Sequence, residues 1–161
     1  MSLAVVIDAN KVFAAALRPG RVRRLLYLLE GVEFYASEYL LDEVREHARE
    51  LASRAGIDSM QFLAIVEEVL AARVKLHRIG CAVCIEKARF VASRFDPDDW
   101  PFIALAIEPG AVIWTNDKAL IVNRLESGHY LAVDTEELVE LVTRGTRSAQ
   151  RLMREKYLAS R

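Results

Sequence analysis

In the stretch "LAVVID", residues 3–8, five apolar residues lead directly into an aspartate. The run does not alternate polar with apolar residues, which is typical of a strand that is buried on both faces of a parallel sheet. The aspartate then stands at the carboxyl end of that strand. Because open α/β sheets bind ligands just beyond the carboxyl ends of their strands, this stretch predicts both a fold class and the place of a site.

The rest of the chain alternates short apolar runs with helical patterns. Further strands are predicted at 32–36, 111–115 and 130–133. Three polar residues stand where helix N-caps are expected, namely Ser37, Asp58 and Thr135. We therefore expect a single three-layer α/β/α domain over 1–161 with a central, mostly parallel sheet. Its core is expected at about 3–135, followed by a C-terminal helical extension at about 136–161.

Composition excludes several classes of protein. The chain has 161 residues, of which 53% are hydrophobic and 28% charged, which favours one globular domain over a disordered chain. The formal net charge of −1 gives no indication of a nucleic-acid partner. No apolar run is long enough to span a bilayer, and Met1 and Ser2 lead into the first strand without a basic segment. We expect a soluble, cytoplasmic protein that does not bind membranes.

The only two cysteines form the sequence "CAVC", Cys81 and Cys84. The interpretation that we favour is two small hydrophobic residues in the first turn of a helix, without a chemical role. A redox or disulfide role needs a strand that leads into this helix, and "VKLHRIG" before it is a candidate. A zinc site needs two further ligands, and the three histidines do not have a paired spacing.

Four acidic residues are predicted to lie near one edge of the sheet. Asp8 and Asp117 follow the first strand and the strand at 111–115, so both lie at the carboxyl edge. Glu43 borders the buried face of the helix after the second strand. Asp99 begins a helix, where the backbone amides favour an anion.

Each of these acids also has a structural explanation when it is taken alone. Asp8 and Asp117 stand where helix caps are common, Asp99 is a typical charge at a helix start, and Glu43 is typical of a solvated helix face. Together they are more informative, because no lysine or arginine is obviously placed to neutralise them. Hard oxygen ligands without histidine or cysteine suit magnesium or manganese. The pattern therefore predicts a divalent cation site.

Four motifs in the same order resemble those of the PIN-domain ribonucleases. "VVIDAN" resembles their first strand with its catalytic aspartate, and "EYLLDEV" the helix with the second acid. "DPDDWPFIALA" is similar to their third motif, an aspartate before an alanine-rich helix, and "IWTNDKAL" to the fourth, a strand that ends in a T-x-D turn. The order and spacing match over roughly 3–135. A long helical insert at about 56–94 and the C-terminal extension depart from the pattern.

The resemblance implies roles for particular residues. The catalytic and metal-binding set is Asp8, Glu43, Asp99 and Asp117. Neighbouring acids at Asp42 and Glu46 leave the register of Glu43 open, and Asp98 is an alternative to Asp99. The resemblance also implies that Asn10 and Thr115 support the site.

By this resemblance the chain is a metal-dependent ribonuclease that uses Mg²⁺ or Mn²⁺ to hydrolyse RNA phosphodiester bonds. Basic side chains would meet the phosphates, and two groups are candidates: Arg18, Arg21, Arg23 and Arg24 near the first helices, and Arg144, Arg147, Arg151 and Arg154 near the C-terminus. A solvated helix face is an equally good explanation of both groups.

The family includes toxins of toxin–antitoxin pairs and RNA-processing nucleases, and its members are commonly homodimers. The alternatives are a PIN-like module that binds RNA or protein without catalysis, and another metal-dependent phosphodiesterase or DNA nuclease.

Overall fold

The computed structural model describes residues 2–160, with the exception of the side chains at 125 and 126. In this part of the chain, five strands and nine α-helices alternate. The strands are β1 Leu3–Ile7, β2 Val32–Ser37, β3 Val74–His77, β4 Val112–Trp114 and β5 Ala132–Val133. The helices are α1 Ala9–Leu17, α2 Arg21–Leu28, α3 Tyr39–Ala55, α4 Ser59–Arg73, α5 Ala82–Ala92, α6 Trp100–Ile107, α7 Lys118–Ser127, α8 Thr135–Arg144 and α9 Thr146–Ala159.

The strands form one sheet in the order β3-β2-β1-β4-β5, and all four pairings are parallel. The predicted α/β/α fold is therefore confirmed. β1 lies in the centre, where Val5 and Ile7 face one side and Val6 the other. Both sides are covered by helices, so the strand is buried on both faces, as its unbroken apolar sequence predicts.

The two faces of the sheet carry separate hydrophobic cores. The first core packs β-strand residues such as Phe34 and Trp114 against α1, α3, α4 and the C-terminal helices, including Met153 of α9. The second packs Val6 and Ile113 against α5, α6 and α7. Helix α6 returns directly to the start of β4, so its N-terminus lies at the carboxyl edge of the sheet. This arrangement brings Asp99 to the same edge as Asp8.

The insert at about 56–94 is not wholly helical, because it contains edge strand β3. This strand pairs with β2, and Ser37 is opposite His77 in the register. Ser37 is therefore the last, buried residue of β2 and not the predicted N-cap. Helix α3 begins two residues later at Tyr39 without a side-chain cap. A single polar residue before a helical pattern does not show whether the strand before it has ended.

The two other predicted N-caps give opposite results. Asp58 does cap α4, since its carboxylate accepts hydrogen bonds from the amides of Met60 and Gln61. Thr135 does not cap α8, because Asp134 takes that position and forms a capping box with Glu137. Asp134 competes well for this position because its carboxylate accepts from the third amide of the helix while Glu137 accepts from its own.

The cysteines are joined in a disulfide, Cys81–Cys84, so the favoured interpretation as two unlinked hydrophobic residues is wrong. The predicted position at a helix start is right, because Cys81 is the N-cap of α5 and its sulfur accepts from the Cys84 amide. Strand β3 lies just before it, as the disulfide alternative required. Among the described residues, no helix combines the length and apolarity needed to cross a membrane.

Candidate active site

Asp8 is held at the carboxyl end of β1 by two hydrogen bonds. Its Oδ1 accepts from the Lys11 amide at 3.0 Å, so that Asp8 is also the N-cap of α1. Its Oδ2 accepts from the hydroxyl of Thr115, which follows β4. The side chain of Asp8 is 5% exposed. Asp8 is thus a helix cap, as its structural explanation predicted. Its carboxylate can still bind a cation, because each oxygen keeps a second lone pair.

Asp117 caps the next helix on the same edge of the sheet. Its Oδ1 accepts from the amides of Ala119 and Leu120 at 2.7 and 3.2 Å, while its own amide donates to the Thr115 hydroxyl. Thr115 therefore connects both aspartates, since its one hydroxyl contacts each of them. The other carboxylate oxygen of Asp117 accepts no hydrogen bond from the described residues.

Asp99 lies at the end of a short 3₁₀ turn, Pro97–Asp99, directly before α6. Its side chain is buried, and its Oδ2 has no hydrogen-bond partner among the described residues. Asp98 is exposed, and its amide donates to the Asp96 carboxylate, which caps the turn. Of the two candidates for the third acid, only Asp99 is turned into the protein. An unpartnered buried carboxylate oxygen is costly and calls for a cation or a proton.

Glu43 lies on α3, one turn after the start of the helix, and is partly buried. Burial and the nearby Asp8 carboxylate raise the pKa of Glu43, whereas His47 lowers it. Asp42 and Glu46, which left its register open, are both exposed. Glu43 is thus the acid of this group that lies close enough to Asp8 to interact with it.

The aspartates interact with one another electrostatically. Burial raises the pKa of Asp99 to about 7, and the charges of Asp117, Asp96, Asp8 and Asp98 contribute to the rise. Burial also raises the pKa of Asp8, although the hydrogen bonds from Thr115 and the Lys11 amide oppose the shift. Carboxylates that raise each other's pKa in this way are near neighbours, and a positive charge between them would reverse the effect.

Lys11 is a cation that the sequence analysis missed. Its side chain is 2% exposed, and its ammonium lies 5.1 Å from the centre of the Trp114 ring and 3.3 Å from the Thr135 hydroxyl. Burial lowers the pKa of Lys11, while the charges of Asp8 and Asp134 raise it. The expectation that no lysine neutralises the acids is therefore wrong for Asp8. The position of Lys11 among the apolar residues of α1 was the sequence signal that its side chain is buried.

The arginines of the two predicted basic groups differ in their exposure and in their contacts. Arg23 is turned inward, where its guanidinium donates to the carbonyl oxygens of Ala15 and Ala16 at the end of α1. Arg18 and Arg21 are exposed, as are Arg147 and Arg151 on α9. Of this last pair, Arg151 forms an exposed ion pair with Glu155. Arg23 therefore has a structural role, whereas the exposed arginines are available to a polyanion.

Carboxylate oxygens are suitable ligands for a divalent cation, but in their present positions these side chains do not form a complete metal-binding site. Across the described residues, no three histidine, cysteine, aspartate or glutamate side chains stand close enough together to hold one metal ion. The buried, unpartnered Oδ2 of Asp99 and the mutual repulsion of the acids nevertheless fit a cation. Asn10, which was expected to support the site, is exposed in the first turn of α1 and lines a groove with Arg18 and Arg54.

The model of the PIN-domain family matches residues 6–151 of the chain. The matched region includes the four acids and extends into α9. No curated protein matches the chain.

Several solved structures share the fold. A chain in the crystal structure of VapBC2 from Rickettsia felis, bound to a DNA fragment from their promoter, is 16% identical with a TM-score of 0.63. The match covers 82% of this chain and 98% of that one. PAE2754 from Pyrobaculum aerophilum is also 16% identical, with a TM-score of 0.64 and coverage of 89% and 98%. FitAB bound to the IR36 DNA fragment is 18% identical, with a TM-score of 0.56 and coverage of 81% and 94%.

Proposed function

The chain belongs to the PIN-domain family, a family of nucleases, and from that premise we propose that it is a metal-dependent ribonuclease. The observation that carries the proposal is the buried, unpartnered Oδ2 of Asp99. It lies among carboxylates that repel it, and a bound Mg²⁺ or Mn²⁺ would satisfy it. The substrate is the RNA phosphodiester bond.

The residues that would hold the metal are Asp8, Asp99 and Asp117, with Glu43 as a fourth acid. When bound, such an ion lowers the pKa of a water ligand and neutralises charge that develops on the phosphate. The chain itself fixes the carboxylates. Thr115 and the first turns of α1 and α7 orient Asp8 and Asp117 through the hydrogen bonds described above. Asp99 has no such partner for its Oδ2, and because burial and the neighbouring acids raise its pKa to about 7, a proton and a cation compete for its carboxylate near neutral pH.

RNA has to approach this acidic edge along basic surfaces. The exposed Arg18 and Arg21 near the start of α2, and Arg147 and Arg151 on α9, are the side chains that we assign to phosphate contacts. None of them is buried, so each can exchange its present partners for a phosphate. The assignment of Arg151 requires that RNA replace its ion pair with Glu155, which is weak because both groups are exposed.

We also propose that the protein acts with an antitoxin partner and as a homodimer. The family includes the toxins of toxin–antitoxin pairs, and the VapBC2 structure contains DNA from the promoter of those proteins themselves. RNA processing is the alternative role within the same chemistry. Co-purification of a small DNA-binding protein encoded beside this chain supports the toxin role, and purification of the chain alone from its native source supports RNA processing.

The test is cleavage of an end-labelled single-stranded RNA by the purified chain in Mn²⁺ and in EDTA. We expect cleavage in Mn²⁺ alone, and its loss in Asp99→Asn and Asp117→Asn. The exposed Asp42→Asn is the matched control, because it removes one carboxylate near the site without touching the proposed ligands. Equal cleavage of a DNA strand would favour the DNA nuclease alternative. RNA binding without cleavage in any divalent metal would favour the binding module.

A further inference from the structure

We infer that Tyr39, Trp100 and Arg89 form a stacking subsite for an unpaired nucleobase at the rim of the carboxylate site. The inference deepens the proposed function, on which it rests, by naming the side chains on which a base of the substrate would stack. The three side chains come from α3, α6 and α5. Their rings and guanidinium are the groups on which bases stack in proteins that bind single strands.

The three groups contact one another directly. The rings of Tyr39 and Trp100 meet edge to face, with centroids 5.4 Å apart and planes at 65°. The guanidinium carbon of Arg89 lies 4.7 Å from the centroid of the Trp100 ring. Edge-to-face rings and a cation over an aromatic face are both favourable arrangements. The cluster therefore presents its aromatic surface in a fixed geometry before any ligand arrives.

The position of the cluster links it to the acids. Tyr39 begins α3 and precedes Glu43 by four residues, so the two side chains lie on one face of the helix. Trp100 follows Asp99 directly and begins α6. The cluster thus joins the two elements that carry the second and third acids, at the carboxyl edge of the sheet. A base held here would leave its phosphate beside the carboxylates.

Core packing does not account for Tyr39. Its side chain is 46% exposed, although large aromatic residues contribute most when they are buried. Arg89 is also exposed, and within the part of the chain that the structure describes it forms no ion pair with a carboxylate. An exposed ring and a guanidinium without a carboxylate partner are suited to a ligand that has both a flat apolar face and a negative charge. A nucleotide combines these features.

The chemistry also selects the state of the nucleic acid. Every base has a face that can stack on tyrosine, so the subsite is tolerant of sequence. A base within a duplex is already stacked and paired, and its face is not accessible. The subsite therefore favours unpaired strands, loops and ends over duplexes.

The first test measures the affinity of a fluorescein-labelled, unstructured eight-nucleotide RNA in EDTA, where cleavage does not interfere. We expect Tyr39→Ala to raise Kd by about 5- to 150-fold, which is the range for loss of one stacked base. Tyr39→Phe keeps the ring and should bind within about twofold of the wild type. Tyr27→Ala is the matched control, because Tyr27 is 40% exposed at the end of α2, on the opposite edge of the sheet.

The second test uses tryptophan fluorescence. The chain has two tryptophans, and Trp114 is fully buried, so changes on ligand addition report on Trp100. We expect the single-stranded RNA to quench this emission. An RNA of the same length with abasic sites, which keeps the phosphates, should leave it unchanged, and so should the matching duplex.

The inference is overturned if Tyr39→Ala binds as tightly as Tyr27→Ala, or if the abasic strand binds and quenches as well as the intact one. Its failure can be told from failure of the proposed function. If the subsite is absent but the nuclease is real, Tyr39→Ala cleaves RNA normally while Asp99→Asn does not. If the chain only binds RNA, the Tyr39 effect on Kd persists without cleavage by any variant.

Discussion

The hydroxyl of Thr115 donates a hydrogen bond to the carboxylate of Asp8, although 107 residues separate them in the sequence. The sheet makes this contact, because β1 and β4 are neighbours and Ile7 is paired with Trp114. Each of the two polar residues follows its strand directly. The same hydroxyl accepts a hydrogen bond from the Asp117 amide at 2.9 Å, so Thr115 sets the spacing of two acids in the proposed metal site.

Replacement of Thr115 by valine should affect both stability and activity. Thr115 is fully buried, and valine removes the donor while it keeps the shape, so one oxygen of Asp8 is left without its partner. We expect the free energy of unfolding to fall by about 1–3 kcal/mol, measured by urea denaturation, together with weaker cleavage of RNA. Thr115→Ser keeps the hydroxyl and should restore most of both. Equal losses in the two variants would assign the effect to packing.

In the metal-free protein, the contribution of Asp99 to stability should be lost as the pH rises towards 7. The pKa of Asp99 is about 7 in the folded protein and 3.8 as its ordinary value, so the folded state binds the proton more tightly than the unfolded state. Its stabilising contribution is complete below the ordinary pKa and disappears as the pH rises through the folded value. In EDTA, the Tm of the wild type should therefore fall relative to that of Asp99→Asn between about pH 5 and 8. A wild-type Tm that rises relative to the variant over this range would contradict the prediction.

Reversal of charge on α9 should weaken RNA binding. Arg147→Glu with Arg151→Glu is expected to raise Kd and to flatten its dependence on salt. A complex with fewer phosphate contacts releases fewer counterions when it forms. The matched control is Lys75→Glu with Arg78→Glu, which makes the same change in charge at the β3 edge of the sheet. Light scattering on the same samples distinguishes a dimer interface, since its disruption would lower the mass. An unchanged salt slope together with an unchanged mass would remove α9 from the RNA-binding surface.

The disulfide should contribute to stability and not to catalysis. Cys81 and Cys84 lie at the start of α5, and neither is a ligand of the proposed metal site. For so short a loop, the chain-entropy model gives about 2 kcal/mol. We expect Cys81→Ala with Cys84→Ala to lower the free energy of unfolding by no more than this, with RNA cleavage unchanged. Treatment with a reductant should lower the Tm of the wild type and leave the double variant unaffected. A tenfold loss of metal-dependent cleavage in the double variant would show a chemical role.

Features that depend on a few neighbouring residues were predicted correctly from the sequence. The apolar run of β1 is buried on both faces as expected, and Asp58 caps α4, because both depend on a few neighbouring residues. The pattern did not predict the end of β2, because Ser37 belongs to the strand through its pairing with β3, far along the chain. Lys11 was missed for the same reason, since its partners are far along the chain: Trp114 ends strand β4, and Thr135 begins α8 after β5.

The proposed metal site is tested most directly by anomalous diffraction from a crystal soaked in manganese chloride. We predict a manganese peak bound to the carboxylates of Asp99 and Asp117, at a metal–oxygen distance of roughly 2.0–2.6 Å, with Asp8 or Glu43 completing the site. An absence of density at this edge of the sheet at saturating manganese, or a peak bound only elsewhere, would contradict the proposed metal site.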